Sequence, residues 1–166
     1  MPGTMIKTII FDLGGVLIPL DSARSFVAME PVCDYSAEQI PVILRQTDLI
    51  RRFELGEIGC QEFAAQLTSL LGLRVNYQEF CSLWTKPFLP EALVPPDMLE
   101  RLHQRYRLIA LSNTNPIHFE AILQIYPFLS HFDDFVLSYR VGYLKPAASI
   151  YEEALRRAGC LLSECL

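Results

Sequence analysis

Apolar residues in this chain fall into runs of two kinds. Residues 6–11 form a short, nearly continuous apolar run with β-branched members, bounded by Asp12 and the pair Gly14-Gly15. Such a run predicts a strand buried on both faces, as in a parallel sheet. Residues 108–111 repeat the pattern and end in Ser112-Asn113-Thr114-Asn115-Pro116, and residues 135–137 repeat it again, ending near Ser138. Between and after these runs the period lengthens to that of a helix, over 116–125 and over 146–158, where Pro suits the first turn and Gly159 the end. The alternation predicts βαβ units, hence an α/β fold with a doubly wound, Rossmann-like parallel sheet whose ligands bind beyond the carboxyl ends of the strands. The polar residues after each run fall there.

Residues 20–90 carry helix signals and little strand signal. Ser36 with Gln39, and Asn76 with Glu79, have capping-box spacing, and Phe63, Leu67, Leu70 and Leu71 share one helical face. Gly56, Gly59 and Gly72 punctuate the segment, and Pro87, Pro90, Pro95 and Pro96 mark its end. The expectation is a small helical domain over 20–90, with Phe53, Phe63, Phe80 and Trp84 in its core, inserted into a sheet domain made of 1–19 and 91–166.

A chain of 166 residues with 51% hydrophobic and 20% charged content can bury a proper core without covalent staples. Its net charge of −5 opposes nucleic-acid binding, which needs clustered cations. Arg51-Arg52 and the basic residues of 101–107 read as solvated helix faces. Five cysteines, with no C-x-x-C pair, argue against a disulfide framework or a zinc site. The apolar N-terminal stretch is interrupted by Lys7 and Asp12 and lacks a following cleavage site, so it reads as neither signal peptide nor membrane span. A cytoplasmic location is expected.

The residues suited to chemistry sit at the strand ends. A carboxylate at the end of a buried strand is costly unless N–H groups, a cation or a metal satisfies it, and the glycines after Asp12 let backbone approach a ligand. Asp12 can thus serve as a nucleophile or simply begin a turn. Ser112 and Asn113 can donate to phosphoryl oxygens, and Lys145, just before Pro146, can neutralise a phosphate. Each also has a plainer reading, as a turn former or an exposed lysine.

In chain order, Ile-Ile-Phe-Asp-Leu-Gly-Gly-Val-Leu at 9–17, Ile-Ala-Leu-Ser-Asn-Thr at 109–114 and Val-Gly-Tyr-Leu-Lys-Pro-Ala-Ala-Ser-Ile-Tyr at 141–151 resemble motifs one to three of the haloacid dehalogenase superfamily. The helical segment falls where that family inserts its cap. The resemblance implies that Asp12 is the nucleophile, that Ser112, Asn113 and Gly15 bind the substrate phosphate, and that Lys145 balances charge. It also implies that Asp12 and the backbone carbonyl of Gly14 bind Mg²⁺. The implied activity is that of a phosphomonoesterase, acting on a small phosphorylated metabolite through an aspartyl-phosphate. Gly at position 14 is similar to a branch that includes sugar-phosphate phosphatases.

Two departures matter. Most phosphatases of the family carry a general acid where Gly14 stands, and such assistance is worth about 10²–10⁴-fold. Asp21 is the nearest downstream carboxylate, though with Ser22 it also suits a helix start. The family's fourth motif, an acidic pair after another strand, would fall near residue 166, where the chain stops. Asp133-Asp134 precede the third strand and read as a strand-entry turn. Asp12 alone would hold Mg²⁺ weakly. The sheet is expected to be incomplete at its C-terminal side, leaving residues 6–11 as an open edge that invites a homodimer. A catalytically silent phosphate-binding protein is the second reading. A metal-free 2-haloacid dehalogenase, with Arg45, Arg51 or Arg52 holding the substrate carboxylate, is the third. Among the histidines only His118, close to the Asn113 loop, is a candidate to line the pocket.

Overall fold

A computed structural model describes residues 5–166. Strand β1 (Thr8–Phe11) leads through the Asp12 loop into a helical segment: α1 (Ala23–Met29), α2 (Ile40–Leu44), α3 (Leu49–Glu54), α4 (Cys60–Leu71) and α5 (Tyr77–Trp84). The chain then returns through α6 (Pro96–His103), β2 (Arg107–Ser112), α7 (Pro116–Ile125), β3 (Asp134–Leu137), α8 (Ser138–Val141) and α9 (Ala148–Ala158). The three strands are parallel in the order β1-β2-β3, with Ile10 opposite Ile109 and Ala110 opposite Phe135.

The sheet is covered on both faces, as the unbroken apolar runs require. Leu108 and Ala110 pack with Leu99 of α6 and with Phe119 and Ile122 of α7. Their neighbours Ile109 and Leu111 point the other way, onto Ile150, Ala154 and Ala158 of α9. The helical segment has its own apolar cluster, in which the Phe53 and Phe63 rings stack at 4.0 Å and Phe80 and Trp84 pack edge-on to Phe63. Its two connections to the sheet run side by side: Leu20 bridges Phe88, and the Asp21 N–H donates to the Pro87 carbonyl at 2.9 Å.

Local signals resolve unevenly. Asn76 and Glu79 form a complete capping box, and Gly72 and Gly159 close α4 and α9 in the left-handed conformation. Ser36 and Gln39 do not cap a helix: the Gln39 side chain accepts from the Ser36 N–H at 3.0 Å within a turn, and α2 begins only at Ile40. Asp133 accepts the Leu108 N–H at 2.8 Å, and Asp134 opens β3 and pairs with Arg157 at 3.2 Å, so the two carboxylates do sit at the entry to a strand.

The expected open edge on β1 is corrected. The Lys7 and Ile10 N–H groups donate to the carbonyls of Glu164 and Leu166, both at 2.8 Å, and the Leu166 N–H donates to Thr8 at 3.0 Å. Residues 164–166 thereby lie parallel to β1, with Cys165 bridged to Thr8, and the Lys7–Glu164 ion pair at 2.6 Å fastens them. Backbone that would recruit a second copy is already occupied there. Among the described residues no helix is long and apolar enough to cross a membrane.

Candidate active site

The loops after β1, β2 and β3 meet at the carboxyl edge of the sheet, and the polar residues they carry bind one another. Asp12 leaves β1 with its Oδ1 accepting the Leu13 N–H at 2.8 Å, while its Oδ2 lies 2.7 Å from the Lys145 ammonium. That ammonium also donates to the Leu111 carbonyl, the penultimate residue of β2, at 3.1 Å. A lysine otherwise free to roam in solvent is thus held by two acceptors from adjacent strands, with only a fifth of its side chain exposed.

Asn113 accounts for how Lys145 stays in place. Its Oδ1 accepts the Lys145 N–H at 2.8 Å, and its Nδ2 donates to the Lys145 carbonyl at 3.1 Å. Both ends of the amide are committed to one backbone unit. The Asn113 side-chain oxygen and one amide hydrogen are thus engaged in positioning the lysine. Gly15, in the loop after Asp12, donates its N–H to the Ile18 carbonyl at 2.8 Å. Its φ of +76° explains why glycine stands there. Ser112 keeps a reactive posture, since its buried hydroxyl has only a long contact of 3.4 Å to the Asn113 carbonyl.

Ser138 is a residue that sequence reasoning missed. It is fully buried at the end of β3, where its hydroxyl accepts the Thr114 N–H at 2.9 Å and donates to the Thr114 carbonyl at 3.0 Å. It ties the loop after β2 to the end of β3, as Asn113 ties it to Lys145.

Beside this cluster lies a cavity of about 220 Å³, between the strand-end loops and the helical segment. Gly14, Ser112, Asn113 and Thr114 form its floor, and Phe26, Leu44, Ile50, Trp84 and Phe88 form much of its apolar wall. Among the described residues lining it, only Glu54 and His118 are ionisable. The His118 ring stacks on Trp84 at 5.3 Å, meets Phe88 edge-on at 5.0 Å, and bonds through Nε2 to the Trp84 carbonyl at 2.9 Å. A carbonyl only accepts, so Nε2 carries the proton. Burial lowers the pKa of His118 to about 4, outweighing the carbonyl's opposite pull, and the ring is neutral at pH 7.

Glu54 is the second missed residue. It ends α3 one turn after Ile50, and both line the cavity. Burial pushes its carboxyl above the ordinary range, with no charged or hydrogen-bonding neighbour contributing. The signal that would have found it is a carboxylate on the same side of an amphipathic helix as Leu49, Ile50 and Phe53. Asp21, by contrast, is exposed and accepts the Ala23 N–H at 3.1 Å, a helix-start role, and it does not line the cavity.

A model of the haloacid dehalogenase-like hydrolases matches residues 6–166. The chain belongs to that family. Among its relatives, a D-ribitol-5-phosphate phosphatase of Bacteroides thetaiotaomicron is 29% identical over 168 residues, spanning 98% of this chain and 82% of that protein. An enzyme of the family from the same organism, solved with magnesium and inorganic phosphate, superposes with a TM-score of 0.84 at 25% identity. The match covers 96% of this chain and 82% of that one. A family hydrolase of Porphyromonas gingivalis gives 0.80 at 30% identity, covering 97% and 80%. Magnesium is thus present in a solved relative of high structural similarity. Among the described residues no group of three or more His, Cys, Asp and Glu side chains gathers as a metal site.

Proposed function

We propose that this protein is a phosphomonoesterase that transfers the phosphoryl group of a small hydroxylated metabolite to Asp12. The carrying observation is the Asp12–Lys145 pair at 2.7 Å, with Lys145 fixed by Leu111 and Asn113 beside a cavity large enough for a small ester. Asp12 attacks phosphorus, and the ester oxygen leaves. The Lys145 ammonium offsets the negative charge that phosphate and carboxylate bring together. The Ser112 hydroxyl, lacking a strong internal acceptor, donates to a phosphoryl oxygen. Water then cleaves the aspartyl-phosphate and restores Asp12.

Mg²⁺ is a hard cation that would be held by oxygen donors, here the Asp12 carboxylate and the Gly14 carbonyl, together with phosphate. When bound it neutralises charge on the phosphoryl oxygens. In this reading residues 5–19 and 91–166 form the catalytic core, residues 1–4 lying outside the described residues, and 20–90 form the cap that encloses the leaving group. The kinship with a D-ribitol-5-phosphate phosphatase supports a sugar or polyol phosphate as substrate.

The dehalogenase reading loses its cation. Arg45 and Arg51 are exposed, Arg52 lies 3.8 Å from Glu57, and none of the three lines the cavity. A wall whose ionisable groups are a carboxyl and a neutral imidazole suits an uncharged leaving group better than a second anion.

The test is Mg²⁺-dependent phosphate release from a panel of sugar and polyol phosphates by the wild type and Asp12→Asn. Release by the wild type should drop to background in the variant, on the order of 10⁶-fold by comparison with other deleted nucleophiles. Binding of inorganic phosphate without release from any ester would replace the enzyme with a phosphate-binding protein.

A further inference from the structure

We propose that Glu54, on the cap, supplies the proton to the leaving oxygen that Gly14 cannot supply from the core. The proposal rests on the phosphatase reading above. An alkoxide leaving group needs a proton as its bond to phosphorus breaks, and the position two residues after Asp12 carries no side chain. The donor must therefore reach the same cavity from elsewhere. Of the two ionisable side chains lining that cavity, His118 is committed, with its Nε2 proton on the Trp84 carbonyl and its ring held between Trp84 and Phe88. Glu54 remains. No hydrogen bond or ion pair among the described residues restrains its carboxyl, and the cavity it lines is mostly apolar, with Phe26, Leu44, Ile50 and Trp84 in its wall. Burial raises its pKa, so more of it holds a proton near neutrality than an exposed glutamate would.

The local fold keeps this carboxyl in place. Phe53 stacks on Phe63 and anchors the end of α3 to α4. Two residues after Glu54, Gly56 has φ +73°, and a Cβ there would collide with the Tyr139 carbonyl in α8. The turn that follows Glu54 is pressed closely against Tyr139.

In the first step the Asp12 carboxylate forms a bond to phosphorus as the ester P–O bond breaks. The Glu54 proton passes to the departing oxygen, giving the free alcohol and a Glu54 carboxylate. In the second, that carboxylate takes a proton from water as its oxygen attacks the aspartyl-phosphate, releasing phosphate and restoring both side chains.

The experiment compares kcat/KM for a polyol phosphate and for p-nitrophenyl phosphate in the wild type and Glu54→Gln. p-Nitrophenolate leaves without a proton, so its turnover also reports an intact site. Glu54→Gln should lose about 10²–10⁴-fold on the polyol phosphate and less than about tenfold on p-nitrophenyl phosphate. An equal loss on both esters, or a loss confined to KM of the polyol phosphate, would make Glu54 a structural or recognition residue and overturn the proposal. An unchanged polyol phosphate rate would overturn it as well. Absence of phosphate release from every ester in the wild type would instead sink the phosphatase reading, and this inference with it.

Discussion

On the core side of the cavity the polar groups are tied to one another, whereas on the cap side the one carboxyl is tied to nothing. Asp12 holds Lys145, Asn113 holds the backbone of Lys145 at both ends, and Ser138 holds Thr114 at both ends. Glu54 has no such partner among the described residues, in a cavity whose wall is mostly apolar. That contrast matches what the two parts of the proposed reaction would require. Phosphoryl transfer demands charges fixed before the substrate arrives, because reorganising them during the reaction would cost rate. Handling a leaving group demands an apolar enclosure with a group free to change its partner. On the proposed reading, the core would serve a constant phosphate and the cap a variable remainder.

The comparison breaks most visibly at Lys145. Lys145→Met keeps the aliphatic stem and removes the charge, leaving Asp12 without a counterion. Phosphate release should fall about 10²–10³-fold, the scale of losing one preorganised electrostatic contact. Steady-state kinetics on a polyol phosphate and on p-nitrophenyl phosphate check this. The loss should be similar for both, because Lys145 acts on the phosphoryl end. A loss confined to the polyol ester would assign Lys145 to the leaving group and erase the distinction between the two walls.

The core wall was far more legible in the sequence than the cap wall, for a physical reason. Parallel strands buried on both faces have few alternatives in sequence, so residues 6–11, 108–111 and 135–137 announced β1, β2 and β3 to within about two residues of the boundaries observed. The residues after them had to lie together at one edge. Spacing does not reveal which partner a polar atom takes once it arrives. The hydrogen bonds of Asn113 to Lys145 and of Gly15 to Ile18 were not visible in the sequence, since they depend on how the loops satisfy their own backbone. The β1 edge was misjudged because residues 164–166 carry too little pattern to announce a strand. Glu54 went unnoticed because its meaning depends on how a helix sits over a pocket that only tertiary packing creates.

His118 sits where the two walls meet, and pH probes that seam. Its pKa is lowered to about 4 from an ordinary 6.5, so the unfolded chain takes up a proton at a higher pH than the folded one. Folded stability is complete above pH 6.5 and is lost as pH falls toward 4, by roughly 2–3 kcal/mol allowing for partial exposure of the residue. Chemical denaturation between pH 7 and pH 4 measures the slope. His118→Gln, which retains an N–H for the Trp84 carbonyl, should flatten that part of the profile. An unchanged slope would mean that the ring is hydrated and the seam open.

The smallest effect sharpens the account of the core wall itself. Asn113→Ala removes two hydrogen bonds to the Lys145 backbone, each worth about 0.5–1.5 kcal/mol net, so stability should fall by about 2 kcal/mol. For a chain of this size that is a drop of about 4–8 °C in Tm. If Asn113 acts through Lys145 and Ser112 contacts the phosphate, the kinetic cost should appear in kcat, with inhibition by inorganic phosphate nearly unchanged. Weakened inhibition by inorganic phosphate with an unaltered Tm would return Asn113 to the role first expected of it. Lys145 would then be held in place by Asp12 and Leu111 alone, and a lysine with only those two acceptors would be a less fixed charge than the core wall requires.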